Sequence, residues 1–124
     1  MAEIEHRVLD APMMSFALDE EIAKLKSGHQ WEIESRAAVT LVKTAALTLV
    51  LVVLHKGGTL KEHRAEGPIT VAVLAGSIRF RASGDERILT RGAILTLTSA
   101  LPHEVEALEE SAFALTVIQP QKVS

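Results

Sequence analysis

The sequence predicts an all-β domain, a sandwich or barrel, preceded by one short helix. From about residue 37 onward, eight short segments rich in Val, Ile, Leu and Thr follow one another: "AAVTLVK", "ALTLVLVVL", "ITVAVLAG", "SIRFRA", "ERILT", "AILTLT", "HEVEAL" and "FALTVI". Lys-Gly-Gly, Gly-Pro, Ser-Gly-Asp and Arg-Gly stand between them, the residue types that tight turns use. No helical period of useful length interrupts this stretch, which disfavours alternating strands and helices.

Ahead of the strands, the pattern predicts a helix over about residues 15–27. Ser15 stands where an N-cap belongs, Pro12 lies upstream, and Asp19, Glu20 and Glu21 put negative charge at the start. Lys24 and Lys26 fall near the end, and Gly28 is placed to close the helix in a left-handed conformation. Leu18, Ile22 and Leu25 make one apolar stripe that must pack on something. Trp31, just beyond, reads as a packing anchor. The expected organisation is an N-terminal arm over 1–36, a β-barrel over 37–119 and a tail over 120–124.

Two strands, "LTLVLVVL" and "ITVAVLA", are apolar on both faces. A strand with one wet face alternates, so these two need a second cover, either the helix or another subunit. "SIRFRA" does alternate, with Ile78 and Phe80 expected inside and Arg79 and Arg81 on a solvated face. Asp85, after Ser83-Gly84, suits a hairpin tip.

At 124 residues with 48% hydrophobic content, the chain makes one domain with a sizeable core. Thirteen basic against sixteen acidic residues give a net charge of −3, and no basic cluster tracks phosphates, so no nucleic acid partner is expected. Cysteine is absent, which excludes disulfides, CxxC centres and a thiol nucleophile. "MAEIEHRVLD" lacks the apolar core of a signal peptide. The run "AAVTLVKTAALTLVLVVL" is interrupted by Lys43 and reads as two buried strands rather than a membrane span. A soluble, cytoplasmic protein with no membrane partner is the expectation. GxSxG, GxxxxGK[ST] and GxGxxG motifs are absent, leaving serine-hydrolase, phosphate-loop and dinucleotide readings without support.

The glycines and histidines carry a more specific signal. Gly57 is followed by five residues and then His63, with Gly76 closing that block; Gly92 opens another, in which His103 follows after ten residues. This spacing resembles the two motifs of the cupin superfamily, the small RmlC-like jelly rolls also called double-stranded β-helices. "VLAGSIRF" and "ALPHEVEAL" are similar to that family's strand text, and the likeness covers roughly residues 37–119. Gly57, Gly76 and Gly92 would serve as structural turns, each where a left-handed backbone suits glycine.

The resemblance implies a site near the barrel mouth. Cupins that bind iron, manganese, nickel or zinc use three His and one Glu; here His63 and His103 match, while the other first-motif positions hold Ala65 and Ile69. Two neutral imidazoles alone make a weak site. Strand parity sends Ala65 the same way as His63, and Val105 inward with His103, leaving Glu62, Arg64, Glu104 and Glu106 outside. Glu66 adjoins Gly67-Pro68, where parity can lapse, so Glu66 or His55 is the candidate third ligand. His55 more often reads as a strand-end histidine with one hydrogen bond than as a third ligand, and His6 and His29 should face solvent.

The expected function is a small-molecule-binding or sensing barrel whose cavity, lined by His63, His103, Ala65 and Ile69, takes a small organic ligand, with at most a weak metal site. A metal-dependent dioxygenase or isomerase using His63 and His103 is the alternative. Cupins of this size are commonly homodimers, in agreement with the doubly apolar strands.

Overall fold

The computed structural model describes residues 7–64 and 67–119, without the side chains of 62–64. Helix α1 (Leu18–Lys26) begins later than the sequence predicts. Ala17, in an extended conformation, precedes it, and no side chain caps it, so Ser15 is not the cap. The acidic first turn is anchored differently: Arg7 donates from both terminal nitrogens to the Glu21 carboxylate, at 3.0 and 2.8 Å. The end differs as well. Ser27 finishes the helix in an ordinary right-handed conformation, with its hydroxyl on the Lys24 carbonyl. Gly28, at φ −88°, is extended and leads into a second helix, α2 (His29–Ile33), which the sequence did not predict.

Nine strands follow among the described residues: β1 (Arg36–Lys43), β2 (Leu47–Leu54), β3 (Thr59–Arg64), β4 (Ile69–Ala75), β5 (Ser77–Ala82), β6 (Asp85–Thr90), β7 (Ile94–Leu97), β8 (Pro102–Ala107) and β9 (Ser111–Ile118). They form two antiparallel sheets, β1-β2-β9-β4-β7 and β3-β8-β5-β6. This all-β jelly roll with a short N-terminal helix is the fold class expected from the sequence. Eight strands match the predicted segments. The ninth, β3, reads "TLKEHR" with one apolar residue, and only its pairing with β8 identifies it as a strand.

The core fills the space between the sheets with Val52, Leu54, Ile69, Val71, Val73, Ile78, Phe80, Leu89, Val105, Ala107 and Phe113. Val53 turns the other way and joins Ala37 and Ala112 beneath Ile22, Leu25 and Trp31. The helical arm is thus the second cover that the doubly apolar β2 required, and Trp31 is its anchor. The arm also guards an edge: the Lys43 N–H donates to the Leu9 carbonyl at 2.8 Å, along β1.

Gly57, Gly76 and Gly92 all have positive φ, +83°, +80° and +89°. Gly76 is constrained twice, because a Cβ there would come within 2.3 Å of both the Glu110 carbonyl oxygen and Ser111 Oγ. Buried Ser111 accepts the Ser77 N–H at 2.9 Å and so ties β9 to the β4–β5 turn. Between β5 and β6, Ser83 and Gly84 both take positive φ, 50° and 80°, the two-residue turn that matches strand twist. No helix among the described residues is long and apolar enough to cross a membrane.

Candidate functional site

Strand β8 alternates as its sequence predicts. His103, Val105 and Ala107 are buried toward the core. Glu104 and Glu106 point outward, where Arg81 and Arg79 meet them at 3.3 and 2.7 Å. Glu86 completes this ladder, 2.8 Å from Arg81, whose hydrogen bond holds the Glu86 carboxyl below its ordinary range. The two arginines therefore belong to a partly solvated, charge-paired face.

His103 is only 3% exposed and stacks on Phe80, with ring centroids 5.5 Å apart and planes 12° from parallel. Its Nδ1 lies 3.1 Å from the Leu101 carbonyl. A carbonyl can only accept, so Nδ1 carries the proton and, in the neutral ring, Nε2 holds the lone pair.

His63 lies directly opposite His103 in the β3–β8 ladder. A one-residue bulge makes this so. Leu60 pairs with Val105, and strict register would then set Glu62 against His103; the shift between Leu60 and His63 brings the histidine there instead. Opposed residues in such a ladder have Cα atoms about 4.5–5.5 Å apart.

The other sequence candidates are not gathered with this pair. His55 follows β2 with the parity of Val53, so it is on the helix side of the sheet. Its ring stacks on Trp31 at 3.4 Å between centroids, and its Nε2 donates to the Trp31 carbonyl at 2.9 Å. As a possible third ligand it is corrected: the strand-end role holds instead. Ile69 is 1% exposed and packs within the core opposite Leu97, so it is core rather than cavity wall. His29 is exposed as expected. Ala65, Glu66 and His6 lie outside the described residues.

Cupin metal chemistry calls for three or more protein ligands. Among the described residues no group of three His, Cys, Asp or Glu side chains could hold a metal ion.

What the structure adds is a cleft of about 520 Å³ where the sheets end side by side, between β6 and β7. Phe80, Leu89, Leu95, Leu97 and Leu101 provide its apolar surfaces, and Ser83, Asp85, Arg87 and Thr96 its polar ones. Phe80 joins the two features, with one side of its surroundings the cleft and His103 stacked against it. Sequence reasoning missed this lining except as strand text. Its only signal was the alternation of Leu95 and Leu97 in "AILTLT", because a cleft depends on which strands terminate the sheets.

No family profile matches the sequence, and no curated protein matches it either. Solved structures do. The cupin 2 conserved barrel domain protein from Leptotrichia buccalis is 27% identical, over 68% of this chain and 41% of that one, with a TM-score of 0.65. An RmlC-like cupin from Shewanella frigidimarina is 16% identical over 71% of this chain and 79% of its own, with a TM-score of 0.65. Salicylate 1,2-dioxygenase from Pseudoaminobacter salicylatoxidans, solved with gentisate, matches 90% of this chain and 35% of its own at 15% identity and a TM-score of 0.74. Two facing antiparallel sheets, glycine turns at both motif positions, opposed histidines and these neighbours agree: the chain has the cupin fold, a jelly roll of the RmlC-like kind.

Proposed function

We propose that this barrel binds a small organic molecule with an apolar body in the cleft between β6 and β7. The observation that carries the reading is the cleft itself, apolar where it meets the core and polar along Ser83, Asp85, Arg87 and Thr96. Cavities of this size, with few polar groups, are the usual form of small-ligand sites. Arg87 offers an anion a partner, although Asp85, 4.0 Å away, competes for it. Aromatic carboxylates such as gentisate, which accompanies one structural neighbour, and salicylate, for which that neighbour is named, are therefore the compounds to try first. In a thermal-shift screen of small organic acids and alcohols, hits should raise the Tm of the protein but not that of Ala82→Phe, which fills the cleft. A panel without hits, or hits that stabilise both proteins equally, would contradict the reading.

A second reading, a metal-dependent dioxygenase or isomerase, is favoured by the bulge that sets His63 against His103. It predicts near-stoichiometric iron, manganese, nickel or zinc in purified protein, lost in the His63→Ala, His103→Ala double variant. Metal at background in both proteins would eliminate it.

The proposal extends to a homodimer. Beyond the helical cover, the outer side of β4 and β9 carries Thr70, Ala72, Ala114 and Thr116, with no charge among them. Light scattering should return about twice the 13.4 kDa chain mass. A monomer at micromolar concentration would refute it.

A further inference from the structure

The cleft has a wall that a generic apolar pocket lacks, namely the open edge of a strand. Four strands end the two sheets: β1, β3, β6 and β7. Arg36 and Lys43 lie on β1, Lys61, Glu62 and Arg64 on β3, and Asp85, Glu86 and Arg87 on β6. Only β7, Ile94-Leu95-Thr96-Leu97, carries no charge. Natural sheets guard their edges with charge because an open ladder recruits other strands. Among the described residues, an uncharged edge beside this cleft is therefore the unusual feature of the surface.

The register shows what that edge presents. The Val73 N–H donates to the Ala93 carbonyl at 2.9 Å, and Val71 and Ile69 oppose Leu95 and Leu97. The Gly92 N–H returns a bond to the Val73 carbonyl at 2.9 Å, while the Ala93 N–H closes the turn on the Thr90 carbonyl at 2.9 Å. In an antiparallel ladder alternate residues bond inward, so Leu95 and Leu97 turn their amides toward β4. Ile94 and Thr96 turn theirs outward, and both residues line the cleft. Their side chains follow Ala72 and Thr70 on the outer face of the sheet, so backbone faces the cleft at these two positions.

We propose that the cleft accepts an extended, uncharged peptide segment, which adds to β7 as a sixth strand of the five-stranded sheet. This deepens the ligand-binding reading and rests on it. A compact organic molecule would use the apolar floor and leave the outward amides of Ile94 and Thr96 to water. A strand uses both, pairing with the edge through its backbone while alternate side chains enter between Phe80, Leu89 and Leu97. The four residues of β7 offer about 13 Å of edge at roughly 3.3 Å per residue, room for a peptide of four to five residues. The charges that line the cleft, Asp85 and Arg87, sit on the opposite strand within 4.0 Å of each other, so the β7 side selects an uncharged partner.

The test is fluorescence anisotropy with a labelled, acetylated Ser-Thr-Val-Thr-Val-Thr-Ser amide and the same peptide N-methylated at both valines, with salicylate titrated in parallel by thermal shift. Wild-type protein should bind the first peptide and bind the N-methylated form at least ten-fold more weakly, since methylation removes edge donors and keeps the side chains. Thr96→Pro removes an outward N–H that β4 does not use, and should weaken the first peptide ten-fold while leaving the weak binding of the N-methylated peptide, which cannot pair with the edge, unchanged. If thermal melting shows that Thr96→Pro is unfolded, Ile94→Glu, at a residue 66% exposed, replaces it with the same expectation. Equal affinity for the two peptides, or no effect of the edge variant, overturns the proposal. Salicylate binding with no peptide binding overturns it and leaves the small-molecule reading standing; failure of both ligands overturns the two together.

Discussion

Trp31 lies flat against His55, ring on ring at 3.4 Å and 15°, and the Trp31 carbonyl accepts the His55 Nε2 hydrogen bond at 2.9 Å. The pair fastens α2 to the end of β2. Lys26, 5.9 Å above the Trp31 ring, reaches onward to Glu110 at 2.7 Å and links the helices to the β8–β9 loop. An aromatic pair contributes about 0.5–1.5 kcal/mol beyond its burial, and the hydrogen bond about 1 kcal/mol. His55→Ala should therefore cost about 1–2 kcal/mol in a denaturant melt and shift the emission of Trp31, the single tryptophan, to the red as water reaches it. Unchanged stability and emission would show the stack to be idle.

Gly57 and Gly76 have nearly the same backbone, φ +83° and +80°, in different surroundings. Nothing lies within 4 Å of a Cβ built on Gly57, whereas at Gly76 backbone and a buried hydroxyl stand in the way. Gly57→Ala should cost only the left-handed penalty, about 1–2 kcal/mol. Gly76→Ala should add the clash and exceed about 4 kcal/mol, abolishing the fold or nearly so. Similar costs at the two sites, read from paired chemical melts, would contradict the packing described at Ser111.

The Arg7–Glu21 pair makes a pH prediction. The Arg7 hydrogen bonds hold the Glu21 carboxyl below its ordinary value, against the opposing effect of burial. The folded protein thus binds fewer protons at Glu21 than the unfolded chain, and stability rises with pH across that interval. The contribution is complete above the unfolded glutamate value, about 4.3, and disappears as pH falls through the lower folded value. Glu21→Gln should lose about 1 kcal/mol at pH 7, with the gap to wild type closing in acid. A gap that stays constant down to pH 3 would show that the ion pair contributes nothing.

The strands, the glycine turns and the inward side of β8 were legible because each rests on local signals, a period of two or a left-handed turn that glycine takes at low cost. Phe80 inside and Arg79 outside followed from alternation alone. The end of α1 was not legible, because Ser27 and the start of α2 competed with a left-handed Gly28 and prevailed. Strand β3 was hidden by its polarity, since its ladder with β8, not its own residues, makes it a strand. The bulge opposite His103 carried no sequence signal, and strict parity could not have foreseen it. Ala82, Arg87, Leu95 and Thr96 come together only because β6 and β7 finish their sheets on the same side, a fact of topology rather than of any one segment.

The central claim, that the cleft between β6 and β7 is where this barrel binds, is tested most directly by titrating ¹⁵N-labelled protein with the best compound from the thermal screen and following amide shifts. The cleft predicts saturable shifts at Ser83, Arg87, Leu95 and Thr96, with the helix-side amides of Ile22 and Val53 unmoved. Shifts concentrated on the helix side or on the charged face of Arg79 and Glu106, with the cleft amides still, would contradict it.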